Sequence, residues 1–265
     1  MSPRKYEPLF ELAIGGMATV YIGIARGALG FSQLVAMKKP HAHLLDHSQQ
    51  REALRHEARL ASLVRHANVV NVRDVEEDGQ DVWLVMDYIE GASLAELLEA
   101  SAQAKEAFAP AITMRIILDA CAGLAAAHAA TSRGGEPLAL VHRDVSPGNV
   151  LIDRSGAVKL TDFGIARATE FERRTDAGQL KGKLGYMSPE QVVGKELDAR
   201  SDLFTLGIVL AEMVTLRPLF SGGRELDVLL RIRDADVVLA IGTRLGEMTT
   251  GGYSLLQAPR PTQRL

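Results

Sequence analysis

The chain has 265 residues, 47% hydrophobic and 24% charged, and 30 basic against 33 acidic side chains leave a formal charge of −3. These figures fit one large globular domain or two lobes, and exclude collagen, a disordered tail and a strongly basic nucleic-acid binder. Cys121 is the single cysteine, and neither a signal-peptide core nor an unbroken apolar run of bilayer length is read, so no disulfide framework or membrane segment is expected and the cytoplasm is the expected location.

Residues 9–38 alternate and are rich in valine, isoleucine and tyrosine, with glycines between them. Val20, Ile22 and Ile24 fall on one face of a strand, and Val35-Ala36-Met37 reads as another. Residues 48–64 change period: Leu54, Ala58, Ala61 and Leu63 recur among charges, which predicts a helix with one apolar stripe. Residues 69–76 and 81–89 return to strand patterns. Gly91 then opens a different half, in which Ser93 could cap a short helix through Leu94, Leu97 and Leu98. Ile112 to Ala130 predicts a long helix with Ile116, Ile117, Ala120, Cys121, Leu124 and His128 on one face. Thr131 to Pro137 reads as a loop, 149–152 and 157–160 as a hairpin, and 203–216 as a second apolar helix. The expected architecture is α+β, with a small sheet lobe with one helix over 1–90 and a larger helical lobe over 91–237. A ligand cleft is expected between them.

The residues that carry chemistry cluster mid-chain. Val141-His142-Arg143-Asp144-Val145-Ser146-Pro147-Gly148-Asn149 is followed, 13 residues after Asn149, by Asp162-Phe163-Gly164. Ser188-Pro189-Glu190 comes 24 residues after Gly164, and Val35-Ala36-Met37-Lys38 stands upstream with Glu57 on the following helix. In this order and spacing the chain resembles the eukaryotic-type protein kinases, in their bacterial serine/threonine branch, over about 9–237. The resemblance implies a two-lobed kinase-like fold, an antiparallel small lobe, and transfer of the ATP γ-phosphoryl group to serine or threonine hydroxyls of proteins. Phosphoryl transfer is mainly positioning and charge neutralisation, which is why cations and metal-binding oxygens are wanted together.

By that resemblance Lys38 contacts the α- and β-phosphates and pairs with Glu57. Glu52 is the rival acid, and Glu57 is preferred by its distance from His66-Ala67-Asn68-Val69-Val70. Asp162 and Asn149 would bind Mg²⁺, or Mn²⁺ in its place, and Asp144 would accept the proton of the substrate hydroxyl. Met86 falls beside the adenine, the backbones of Asp87 and Ile89 pair with its edge, and Leu12, Val20, Ala36 and Leu151 sandwich the ring. Ser93 is either a ribose contact or a helix cap. A dimer would allow one copy to phosphorylate another.

Three departures stand out. The phosphate loop, Ala13-Ile14-Gly15-Gly16-Met17-Ala18-Thr19-Val20, keeps Gly15 of the family's three glycines; alanine disfavours positive φ, so a stiffer loop is expected. Ser146 replaces the family's lysine two residues after the catalytic Asp, while Lys183 in Gly182-Lys183-Leu184-Gly185 replaces its threonine. Either Lys183 supplies the missing cation with Ser146 as partner, or it is an exposed loop lysine. Thr175, or Thr169, is the candidate phosphorylated residue for Arg143. Finally, the family needs further C-terminal helices, one carrying the arginine that pairs with Glu190. Residues 238–265 instead read as a non-kinase tail, similar to a piece of the middle domain of thiamine-diphosphate enzymes. A nucleotide-binding scaffold and an inactive truncated fragment are the alternatives to an active kinase.

Overall fold

The computed structural model describes residues 5–16, 18–42, 48–79, 81–132, 134–163 and 184–235. The first half builds an antiparallel sheet from β1 (Tyr6–Ile14), β2 (Ala18–Arg26), β3 (Ser32–Pro40), β4 (Val72–Asp78) and β5 (Asp81–Asp87), in the order β1-β2-β3-β5-β4. Helix α1 (Ser48–Ala61) intervenes between β3 and β4. Directly paired residues share a face of a sheet, so register sorts the side chains. Ile22, Ala36, Met86 and Val72 form one row, and Val20, Lys38, Leu84 and Val75 the next. This face meets α1, where Leu84 and Met86 pack with Ala58 and Ala61. The opposite face closes over Tyr6, Val35, Met37 and Val85, with Tyr21 edge-on to Trp83 at 5.4 Å. The alternation of Val20, Ile22 and Ile24 therefore separates the two faces.

Gly91 begins the second half where two backbones nearly touch. A Cβ there would lie 2.0 Å from the Ile152 carbonyl oxygen, so a larger residue could not fit without moving the chain. Around it, β6 (Gly91–Ser93), β7 (Val150–Asp153) and β8 (Val158–Leu160) form a second small sheet. Strand β6 is too short to have shown any period. The helices are α2 (Leu94–Ala104), α3 (Pro110–His128), α4 (Pro189–Val192), α5 (Ala199–Thr215) and α6 (Glu225–Arg233). Helix α3 starts two residues before the predicted position because Pro110, with φ already near helical, occupies its first turn. Helix α5 starts earlier than predicted because the Asp198 side chain caps it, accepting from Arg200 N.

The large-lobe core packs Ile116, Ile117, Ala120 and Leu124 of α3 against Leu206, Val209, Leu210 and Met213 of α5. By length and composition α3 is apolar enough to cross a bilayer, a run that the sequence reading passed over. Its buried side chains belong to this core. Backbone bonds join the lobes: Val70 N donates to Leu160 O at 2.8 Å and Leu160 N to Asn68 O at 2.9 Å. Asn68 Nδ2 also reaches Val158 O at 2.8 Å. Val69, expected to begin a strand, instead bridges to Leu160 across the lobes.

Under the large lobe, Val228 and Ile232 of α6 pack with Leu184 and Met187. Glu190 is only half-buried and accepts a hydrogen bond from the Ser201 hydroxyl, so the cost expected of a buried, unpartnered carboxylate does not arise. The tail 238–265 and the boundary at 237 lie outside the described residues.

Candidate active site

The site is built around one buried imidazole. His142 is fully buried, and its Nε2 donates to the Thr161 carbonyl at 3.0 Å. Its Nδ1 is then the acceptor that Asp144 N approaches at 3.3 Å. Burial holds the imidazole below its ordinary pKa, while the carboxylates of Asp202, Asp144 and Asp162 pull the other way. Three carboxylates from positions 144, 162 and 202 thus converge on one side chain. Phe163 packs against the same ring at 4.4 Å.

The backbone here is strained and held. Arg143 has φ +67° and Asp162 has φ +60°, a region costly for residues with a Cβ. Asp202 of α5 holds the first of these: its carboxylate accepts from His142 N and Arg143 N, each at 2.8 Å. It also takes His128 Nε2 of α3 at 2.7 Å. Gln191 Nε2 donates to the Arg143 carbonyl at 2.8 Å. Asp202 was expected to hold this loop. Gln191 and His128 were not assigned a part, although Ser188-x-x-Gln191 is a readable capping box.

Asn149 turns its amide onto Asp144, with Nδ2 2.7 Å from the Asp144 carbonyl and 3.1 Å from Oδ2. Its Oδ1 is left for another partner. Lys38 Nζ stands 2.8 Å from Asp162 Oδ1, an ion pair between the sheet lobe and the helical lobe. That buried oxygen takes no hydrogen bond in addition. An otherwise orphaned carboxylate oxygen and an amide oxygen are hard donors that fit Mg²⁺. Among the described residues no group of three or more His, Cys, Asp or Glu could hold a metal ion. A Mg²⁺ held here would share its coordination with substrate phosphates and water, as that ion usually does.

Glu57 lies in α1, but its side chain, and with it the expected Lys38–Glu57 pair, is outside the described set. Glu52 is settled otherwise: it is exposed and pairs with Arg55 at 3.2 Å, which also binds Glu77 of β4. Lys183, Thr169, Thr175 and Gly164 are likewise outside the described residues. Ser146 is buried, and its carbonyl accepts Asn149 N at 2.9 Å.

Four of the expected adenine-site residues come together: Ala36, Met86, Ile89 and Leu151 share one apolar cluster. Val20 pairs with Lys38 in the adjoining row, while Leu12 and Ile14 of β1 are exposed. Asp87 is held at the lobe junction by Arg73 at 2.5 Å and Asn71 at 2.8 Å. Ser93 caps α2 in a reciprocal box with Glu96. The β1–β2 turn is closed by Gly15 N donating to Ala18 O at 2.9 Å. Ala13 and Ala18 lie in paired strands, and neither Gly15 nor Gly16 has positive φ, so the expected conformational penalty of the alanines is absent.

Comparison with known proteins places this geometry. The protein kinase domain family model matches residues 6–249. The chain is 38% identical over 225 residues to a protein named tyrosine-protein kinase MasK from Myxococcus xanthus, covering 84% of this chain and 35% of that one. It is 36% identical over 233 residues to serine/threonine-protein kinase PknL of Mycobacterium bovis, covering 88% and 55%. It is 33% identical over 232 residues to serine/threonine-protein kinase PrkC of Bacillus subtilis, covering 88% and 34%. The chain therefore spans from about a third to just over half the length of these relatives. The crystal structure of the Mycobacterium tuberculosis PknI kinase domain superposes with a TM-score of 0.62 at 24% identity, covering 81% of this chain and 74% of that one, and shares the fold.

Proposed function

Because this chain belongs to the protein kinase family, we propose that it transfers the γ-phosphoryl group of ATP to serine and threonine hydroxyls of proteins. The observation that carries this reading is the convergence of Asp144, Asn149, Asp162 and Lys38 about buried His142. With these residues in place, nothing in the site favours a nucleotide-binding scaffold. The cytoplasm, as the compartment holding ATP, is where the reaction would run.

The chemistry assigns one task to each residue. The substrate hydroxyl oxygen attacks the γ-phosphorus as the bond to the β–γ bridging oxygen breaks, and the hydroxyl proton passes to Asp144 Oδ. Asn149 fixes that carboxylate through its Oδ2, leaving the other oxygen to face the hydroxyl. Lys38 moves between Asp162 and the α- and β-phosphates, so its ion pair keeps the ammonium poised without nucleotide. Asp162, with Asn149 Oδ1, would hold Mg²⁺, or Mn²⁺ in its place, which neutralises phosphate charge when bound. Ala36, Met86, Ile89 and Leu151 offer the adenine an apolar slot.

The acceptor residue has a second reading, because one relative carries the name of a tyrosine kinase. Incubation with γ-labelled ATP and mixed protein substrates, followed by phosphoamino-acid analysis, separates the two. Phosphoserine and phosphothreonine are expected; phosphotyrosine alone would overturn the assignment. Asp144→Asn should lower the rate by about 10²–10⁴-fold, the usual worth of a positioned base. An unchanged rate would remove Asp144 from the chemistry.

A further inference from the structure

A second concavity lies on the large lobe beside the loop that carries Asp144. It has a volume of about 250 Å³ and is walled by α2, the turn at 147–149, the turn at 184–186 and the end of α5. Its walls are of two kinds. Leu98, Leu216 and Pro147 are apolar. Glu99 from α2 and Glu212 from α5 bring two carboxylates to the same space, and no lysine, arginine or histidine lines it.

Both acids have capacity left. The Tyr186 hydroxyl donates to Glu212 Oε2, which leaves Oε1 without a hydrogen bond among the described residues. Burial and this carboxylate push the Tyr186 phenol upward, so it stays a donor. Glu99 accepts only a 3.3 Å bond from Gln103. The far wall is shaped by Leu216, whose φ of +51° ends α5 and turns the chain back. An apolar slot bearing two carboxylates and no counter-charge suits a long side chain with an aliphatic stem and a cationic head. A planar guanidinium can bridge two carboxylates, which an ammonium does less well.

The slot is also close to the chemistry. Pro147 is three residues from Asp144, so their Cα atoms are separated by at most about 10 Å of chain. That is the reach of about three residues of extended peptide.

We propose that this concavity is a specificity subsite: it receives an arginine of the protein substrate, within about three positions of the accepting hydroxyl, with the guanidinium between Glu99 and Glu212. The proposal rests on the phosphotransferase reading above and gives it a substrate class, proteins with basic residues flanking the acceptor.

The test uses the 265-residue chain with Mg-ATP and serine peptides carrying one arginine at each of four positions on either side, against an all-alanine peptide. Arginine at one position should raise kcat/KM by tenfold or more, mainly through KM. Glu212→Gln keeps an acceptor for Tyr186, and together with Glu99→Gln should bring the arginine-to-alanine ratio near one. The exposed Glu99→Lys should turn the preference toward glutamate at the same position. Ratios below twofold at every position, or a preference that survives both glutamine variants, would overturn the subsite while leaving the kinase reading intact. Absence of transfer to every peptide and to the chain itself would overturn the kinase reading, and the subsite with it.

Discussion

Two aspartates in this site sit on unlike supports. Asp144 is oriented by Asn149 and backed by His142, whereas Asp162 stands on strained backbone with Lys38 as its ion-pair partner. Their identity was legible in the triplets that contain them, but the Lys38–Asp162 pair spans 124 residues and leaves no local trace. Ser146 shows the opposite limit: its departure from the family pattern was plain, yet its burial could not be read from a single small residue. The proposed exchange of roles with Lys183 is decided at this scale. Lys183→Ala should lower kcat more than tenfold if the ammonium reaches the γ-phosphate, about 1.4 kcal/mol of transition-state stabilisation. A smaller loss, measured at saturating ATP, would make Lys183 an ordinary loop lysine.

At the scale of elements, α5 does more than fill the core. Through Asp202 it fixes two amides of the loop before Asp144 and ties in the end of α3 through His128. The helix was predictable from its apolar run, and Asp202 from its place in the motif. Its bond to His128, 74 residues away, was not. Asp202→Asn keeps the shape but presents an NH₂ group to backbone donors at one of its two oxygens. Leaving a buried donor unsatisfied and removing a buried charge should cost about 2–4 kcal/mol, read as a lower urea midpoint with an unchanged slope. A midpoint equal to wild type would show that the loop holds its shape without this carboxylate.

For the molecule as a whole, the buried imidazole links stability to acidity. Burial depresses the pKa of His142 from its ordinary 6.5, so the native state keeps it neutral while the unfolded chain takes up a proton below that value. Stability from this group is complete above about pH 6.5 and is lost as pH falls toward the depressed folded value. Melting temperatures measured from pH 8 to pH 5.5 should therefore decline through the lower half of the range, with protons taken up on unfolding. A level profile would contradict a neutral His142. The two-lobed plan itself was readable because period and composition change at Gly91. The way the lobes meet was not, because it depends on backbone bonds from Asn68 and Val70 that any sequence could make.

Those bonds restrict how the cleft can breathe. The chain crosses between lobes at 88–90, and the 68–70 segment is stitched to β8 at a second place. Two such attachments leave one soft degree of freedom, a rocking about the line through both. Nucleotide entry and product escape would share that single hinge axis, and a crosslink bridging the cleft mouth would stall the cycle at whichever of the two it blocked.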